Sequence, residues 1–504
     1  MASASPQLSK SSFLRGWQCP KSLYFSAFEP DVPGSLPPGQ AALMDAGRRV
    51  GLLARRLFHG GEAVVSVDST SAAARTRILA AGGAPAIFEA LLDSGDGLRA
   101  AVDILARGRR GWRLIEVKSS TSVKDEHLPD VAFQLHVARA AGLDVESVEV
   151  LHLNSDYVRR GDLDLPALFR SEEVTDRAEA LLGEVADVAV RLRRMLQSGG
   201  RPVIDIGPHC RRPRDCDCLD VCWQDVPAGS VMEIAHLTWE KKFHLYHQGI
   251  RLIDQVPPDL PMPADSRRHV AAVQAGAPLI DRAGLRAFLG ELAFPVFLLD
   301  FETVAPAIPL WDGTRPYQQV PFQYSLHVLR AVEAEPEHSG FLAEAGPDPR
   351  PALLASLLPA TAASGSILAF HMPFELGVLR RLAEAFPDVG GEIEMRLPRM
   401  EDLIRPFRRW HYWLPEMGGS FSIKSVAPAL APDLSYAQLE IADGLAAARA
   451  FEGLLAGPSA EAAARLRSSL EAYCKMDTLA MVRVLQAIWR EAGGSSAPQT
   501  GDQS

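Results

Sequence analysis

No apolar run in the chain approaches the roughly 18 uncharged residues that a helix needs to cross a bilayer. The opening stretch, MASASPQLSKSSFLRGWQCPKSLYF, lacks the charged-then-apolar order of a secretory leader. A cytoplasmic protein without a membrane partner is the expectation. Cysteine is sparse too, six in 504 residues, too few for a disulfide scaffold. Basic residues are outnumbered, with 52 Lys and Arg against 62 Asp and Glu and a formal charge of −10. That balance excludes a uniformly basic nucleic-acid coat, while leaving room for a local basic groove. Internal repeats are absent. With 47% hydrophobic and 23% charged residues, the composition excludes wholesale disorder, a collagen-like repeat and a coiled-coil rod.

A chain this long is expected to form two or three domains. Residues 1–228 close on the cysteine-rich run HCRRPRDCDCLDVCW. Residues 229–290 mix a helical stretch with the proline-rich break VPPDLPMPAD, as a helical linker would. Residues 291–493 open on a buried-strand run, FPVFLLDFET, and end in a helix around Tyr473. The tail 494–504 has no large apolar anchors and reads as disordered. Alternating strands (LRAAVDILAR, WRLIEVKSS) followed by helical spacing (VAFQLHVARAAG) predict an α/β fold for the first region. Continuous apolar strands (FPVFLLDFE, SILAFH) predict a sheet covered on both faces in the last.

Three constellations carry chemistry. In the first, a hairpin puts Asp103 on one strand and Glu116 and Lys118 on the next, the latter two on one face. Two carboxylates opposed across a hairpin suit a hard divalent cation, and a lysine beside them offsets charge developing on a scissile phosphate. Taken alone, an acidic pair with a lysine also fits a surface ion-pair ladder. Apolar neighbours (Val102, Ile104, Ile115, Val117) mark the strands as central. These residues resemble the PD-(D/E)XK nuclease superfamily over roughly residues 8–225, in particular its RecB-like branch and the CRISPR-associated exonucleases with an iron–sulfur cluster. The resemblance implies that Glu89, Asp103 and Glu116 are acidic metal-site residues, that Lys118 is the catalytic lysine, and that Gln134 is the glutamine of the following helix.

In the second, Cys210, Cys216 and Cys222 are spaced with five residues in each gap, and Cys19 stands far upstream in QCPKSLY. Thiolates so placed suit one soft metal centre, with tetrahedral zinc a competitor to an iron–sulfur cluster. One cysteine before the core and three after it resembles the iron–sulfur nucleases, which implies a structural [4Fe–4S] cluster on Cys19, Cys210, Cys216 and Cys222. Cys218 is a spare thiol or a replacement ligand.

In the third, LLDFET sets Asp300 and Glu302 on one face of a strand, a ready ligand pair for Mg²⁺ or Mn²⁺. Glu375 opens a helix, and Tyr473 and Asp477 share a helical face one turn apart. Any one of these carboxylates alone reads first as a solvated cap. Their order resembles the DEDD 3′–5′ exonucleases of the ribonuclease H-like fold over roughly residues 294–490. By that resemblance Asp300 and Glu302 form the first motif, Tyr473 with Asp477 the third, and Tyr473 orients the attacking water. Glu375 stands where the second motif has an Asp, one methylene longer, a shift of about 1.5 Å.

The wider chain resembles an uncharacterised bacterial family in which such an iron–sulfur nuclease is fused to a domain bearing the LDFET signature. EDLIRPFRRWHYW and GSFSIKSVAPAL fit it as well. Asp402 reads as a second metal neighbour or a helix cap. Arg405, Arg408, Arg409, Trp410 and Tyr412 read equally as a single-strand lining or a solvated helix. Lys424, beside Ser420 and Ser422, is a candidate phosphate contact. His244 and His247 read as a wet helical face. The expectation is therefore an Mg²⁺- or Mn²⁺-dependent nuclease acting on single- or double-stranded DNA, in DNA repair or defence against foreign DNA. The rivals are a nucleic-acid-binding scaffold with inactive centres and an RNA-processing 3′–5′ exonuclease.

Overall fold

The computed structural model describes residues 7–34, 38–65, 68–434, 436 and 438–494. The tail expected over 494–504 lies outside them from residue 495 onward. The chain divides into two compact units: one spans Met1–Asp225 with Pro306–Tyr317, the other Val226–Ala305 with Gln318–Ser504. Both are mixed α/β with open sheets. Among the described residues no helix is long and apolar enough to cross a membrane.

The first unit is built on strands β1 (Leu8–Ser9), β2 (Glu62–Ala63), β3 (Ala86–Asp93), β4 (Leu98–Arg107), β5 (Trp112–Lys118), β6 (Val145–Leu153) and β7 (Phe169–Glu173). The sheet order is β2-β3-β4-β5-β6-β7, with β1 running parallel against the start of β4. Strands β3, β4 and β5 form an antiparallel meander. Strand β6 then lies parallel to β5, which requires a crossover, here the helix Leu128–Ala140. Apolar residues cover both faces of the sheet. Val131, Phe133 and Leu135 lie on one side, and Val50 and Ala54 of the helix Pro38–Arg55 on the other.

Alternation along this sheet slips at one place. On β4, Ala100 and Val102 pack into the first cluster, but Ile104 and Ala106 pack into the second. Strict period-two geometry would put all four on one face. The slip falls at Asp103, between the partners of Phe88 and Ala90 on β3. Glu89, between those two residues, has φ 52°, a left-handed conformation that a side chain with a Cβ resists. The local twist turns Asp103 and Ile104 toward the same cavity.

The second unit contains β8 (Leu279–Ile280), β9 (Val296–Val304), β10 (Val320–Leu329), β11 (Glu337–Leu342), β12 (Ile367–Ala369), β13 (Met400–Asp402) and β14 (Tyr412–Trp413). Five of these form a sheet in the order β11-β10-β9-β12-β13. Its first three strands are antiparallel, and β12 and β13 run parallel to β9. The central β9 is buried on both faces, with Val296 and Leu298 in one core cluster and Phe297, Leu299 and Phe301 in the other. That double burial is why its sequence is nearly continuous in apolar residues. The long helix Ala460–Glu491 contributes Met481, Val484, Leu485 and Ile488 to the first of these clusters.

Two boundaries differ from the sequence reading. Residues 229–290 are no free-standing linker: Ala235, Ala272, Leu285 and Phe288 belong to the main core of the second unit. The proline break only separates helices whose apolar faces pack. Conversely Pro306–Tyr317, between β9 and β10 in sequence, belongs to the first unit, where Ala307 joins the cluster of Phe88 and Ile104.

Candidate metal centres

In the first unit, β4, β5 and two helices bring charged groups together. Asp103 Oδ2 accepts a hydrogen bond from the Val117 amide at 2.8 Å, which ties its carboxylate to the strand carrying Glu116 and Lys118. Lys118 Nζ lies 2.7 Å from Glu116 Oε1 and 2.6 Å from Asp130 Oδ2. Gln134 Nε2 donates to Glu116 Oε2 at 2.8 Å and to Asp130 Oδ1 at 2.9 Å. Lys10 Nζ reaches both Glu116 oxygens, at 3.0 and 3.1 Å, from the N-terminal helix Lys10–Gln18. Glu89 is paired with Arg55. Glu89, Asp103, Glu116 and Lys118 all line one cavity of about 490 Å³.

Electrostatics divides these acids. Burial, reinforced by Asp103 and Asp130, pushes Glu116 up to about 7. Burial raises Asp103 as well. Asp130 moves the other way, because Lys10 and Lys118 outweigh its burial and hold it below the usual carboxylate range. For the two lysines burial disfavours the ammonium, but Glu116 and Asp130 outweigh it and raise both. The result is a pair of half-buried cations clamped on two buried carboxylates.

Lys10 and Asp130 were not anticipated. Asp130 had a readable signal, four residues before Gln134 on the same helical face. Lys10 had none, since 106 positions separate it from Glu116.

The cysteines gather at the end of this unit. Cys19, Cys210, Cys216, Cys218 and Cys222 line a single small cavity, together with His209 and Lys21. None forms a disulfide. Cys19 sits in extended backbone between the helices Lys10–Gln18 and Pro20–Phe28, while Cys216 N donates to Cys210 O at 2.9 Å, folding the loop back. A hydrogen bond from Cys218 draws the Cys216 thiol down to about 6, and the same bond raises Cys218. The hydrogen bond to Cys19 raises His209. Several sulfurs facing one cavity form a donor set that suits a soft metal or an iron–sulfur cluster.

In the second unit, Asp300, Glu302, Glu375, Tyr473 and Asp477 line one cavity of about 310 Å³. They come from β9, the first turn of the helix Pro373–Ala385, and the helix Ala460–Glu491. The long helix is pinned against β10: Gln323 Nε2 donates to Leu470 O at 2.9 Å, and Ser325 Oγ lies 2.7 Å from Thr478 Oγ1. Ser325 is the cross-strand partner of Asp300, so this pin sets the separation between Asp300 and Asp477. Asp477 accepts hydrogen bonds from Tyr436, at 2.9 Å, and from Tyr473. Lys424 Nζ lies 3.4 Å from Tyr473 Oη.

Burial lifts Asp300, Glu302 and Glu375 well above the ordinary carboxylate range; the charge of Asp477 adds to it at Asp300, and that of Asp300 at Glu302 and Glu375. Asp477 is raised by burial too, against the two tyrosine hydroxyls. Glu375 Oε2 is buried with no hydrogen-bond partner among the described residues. Cys474, fully buried, places Sγ 3.9 Å from Asp300 Oδ2. Ligand atoms of Asp300, Glu302 and Cys474 all lie within 4.8 Å of one another. Tyr436 and Cys474 were not anticipated.

The remaining candidates sort as follows. Trp410 and Tyr412 are buried in the core, so they offer no stacking face to a strand, although Arg408 and Arg409 are exposed. Arg405 pairs with Glu291 and Glu401. Asp402 accepts from the His371 and Ile404 amides at 3.0 and 3.2 Å, a turn-capping role that also brings its charge near Glu375. His244 and His247 are exposed.

Residues 297–422 match the model of a domain of unknown function, DUF2779, a span that includes Asp300, Glu302 and Glu375. No curated protein matches the chain.

Proposed function

We propose that the chain is a divalent-metal-dependent nuclease with two centres, one in each unit, that hydrolyses phosphodiester bonds in DNA. One observation carries this reading: the buried carboxylates of Glu302, Glu375 and Asp477 and the half-buried one of Asp300, from three separate segments, line a single cavity. Gathering carboxylates without an ion-pair partner in a largely buried site costs several kcal/mol per charge, so such a cluster fits a site that works with cations bound. Bound Mg²⁺ or Mn²⁺ would activate water and offset charge on the entering and leaving oxygens.

The chain's own groups have definable parts. Asp300 and Glu302 hold the cation side of the second centre, with Asp477 oriented by Tyr436 and Tyr473. Tyr473, its hydroxyl near Lys424, is placed to orient a water. In the first centre Asp103 and Glu116 would supply oxygen ligands, and Glu89, paired with Arg55, lines the same cavity. Lys118 offsets phosphate charge, while Gln134 and Asp130 fix the positions of Glu116 and Lys118. The cysteine cavity, joining Cys19 to the 210–222 loop, would hold a structural [4Fe–4S] cluster that clamps the ends of this unit.

The mixed sheet of the first unit, with its acid–lysine hairpin, supports a PD-(D/E)XK-type domain. The central acidic strand of the second supports a ribonuclease H-like DEDD domain. DNA repair or defence against foreign DNA is the accompanying role. The test uses 5′- and 3′-labelled single- and double-stranded DNA, and RNA, with Mg²⁺ or Mn²⁺. Lys118→Ala should remove one activity and Asp300→Ala another, each by at least a hundredfold. If neither substitution changes any nucleolytic rate, a nucleic-acid-binding scaffold is the better description; a preference for RNA ends would indicate RNA processing.

A further inference from the structure

We propose that Cys474 is a ligand of the cation site in the second unit, which makes that site a mixed carboxylate–thiolate centre favouring Zn²⁺, Co²⁺ or Cd²⁺ over Mg²⁺. This rests on the reading that the acidic cluster holds divalent ions. The geometry comes from two elements that cross at this point. Asp300 and Glu302 project from β9, and Cys474 faces them from the helix Ala460–Glu491, three residues before Asp477. At ordinary zinc bond lengths, about 2.1 Å to oxygen and 2.3 Å to sulfur, the 3.9 Å separation of Asp300 Oδ2 and Cys474 Sγ corresponds to an O–metal–S angle of about 125°. The widest ligand separation in the trio, up to 4.8 Å, closes by a few tenths of an ångström around such an ion.

A second observation points to a ligand at the same place. Glu375, 3% exposed and lining the cavity, has an Oε2 with no hydrogen-bond partner among the described residues. This buried acceptor shares its cavity with Asp300 and Glu302, and a cation held there would give it a partner. A buried cysteine elsewhere acts as a small apolar residue. Here its thiol donates to Asp300 Oδ2 at 3.9 Å, and on losing that proton the sulfur could share a cation with the same carboxylate. Metal binding at Cys474 releases the thiol proton to solvent, forms a metal–sulfur bond and changes no oxidation state. Soft sulfur then biases the metal choice, since oxygen ligands alone suit Mg²⁺ and Mn²⁺.

The test is ¹¹³Cd NMR on the full chain, because the cadmium shift reports the number of sulfur ligands and separates this site from the cysteine-rich cavity. Wild type should show a resonance that Asp300→Asn abolishes, lying far upfield of any multi-thiolate signal. In Cys474→Ser and Cys474→Ala that resonance should move further upfield, and Cd²⁺ affinity at this site should fall at least tenfold while Mg²⁺ affinity changes less than threefold. Matching melting curves for the two variants and wild type establish that they fold. An Asp300-dependent resonance at the same shift in both Cys474 variants overturns the thiolate assignment and leaves the acidic cation site standing. No Asp300-dependent resonance in wild type overturns both.

Discussion

Asp300→Asn should stabilise the metal-free protein, although it removes a residue of the proposed machinery. Asp300 is raised first by burial and then by Asp477, and it raises both Glu302 and Glu375 in turn. A carboxyl whose folded pKa lies above its unfolded value keeps its proton in the native state after the unfolded chain has released it. Native protein then binds more protons, and stability falls as pH rises above about 4, by about 1.4 kcal/mol per pH unit for each such proton. From about pH 4 to 7 one group could therefore cost up to about 4 kcal/mol, reduced by solvent and relaxation to about 1–3 kcal/mol. For a unit of this size that corresponds to a rise in Tm of roughly 2–10 °C at pH 7 in the Asn variant, and almost none at pH 4.5. Calorimetry in EDTA across pH 4.5–8 reads this directly. Adding Mn²⁺ should raise the wild-type Tm more at high pH than at low pH, and should do little for the variant. The reasoning is refuted if Asp300→Asn melts lower than wild type at pH 7 without metal, or if its gain is the same at pH 4.5.

Lys118→Met and Lys10→Met should each cost about 3 kcal/mol in urea unfolding of the first unit, because either leaves Glu116 and Asp130 buried with one cation instead of two. The double variant should deviate from additivity by at least 1 kcal/mol, since both lysines share the same partners. Protein purified without oxygen should be brown, and Cys210→Ser should lose the visible absorbance while Cys218→Ser keeps it. A colourless preparation holding stoichiometric zinc would replace the iron–sulfur assignment with a zinc site.

The strands that carry chemistry were legible because their signals are local. Apolar runs and alternation locate β4, β5 and β9, and they put Asp103, Glu116, Asp300 and Glu302 on strands within a residue or two of their observed ends. Tyr473 and Asp477 follow from helical spacing. What escaped depends on tertiary placement. Lys10 enters the first centre because a short strand beside β4 delivers its helix there. Tyr436 reaches Asp477 from an irregular segment. Cys474 follows Tyr473 in the C-terminal helix, but its meaning comes only from the crossing with β9. The slip at Asp103 was equally hidden, since it requires Glu89 to adopt a conformation that its residue type disfavours. For the arginine–aromatic run the sequence left a nucleic-acid lining and a solvated helix even, and burial puts Trp410 and Tyr412 in the core instead.

The central claim is that separated carboxylates in each unit converge on a divalent cation. Crystals soaked in Mn²⁺ and measured at the manganese absorption edge test it most directly. Anomalous peaks are expected within bonding distance of Asp103 and Glu116 in the first unit and of Asp300 and Glu302 in the second. A map with no peak at either pair, in crystals that diffract well enough to show the sulfur atoms, would contradict it.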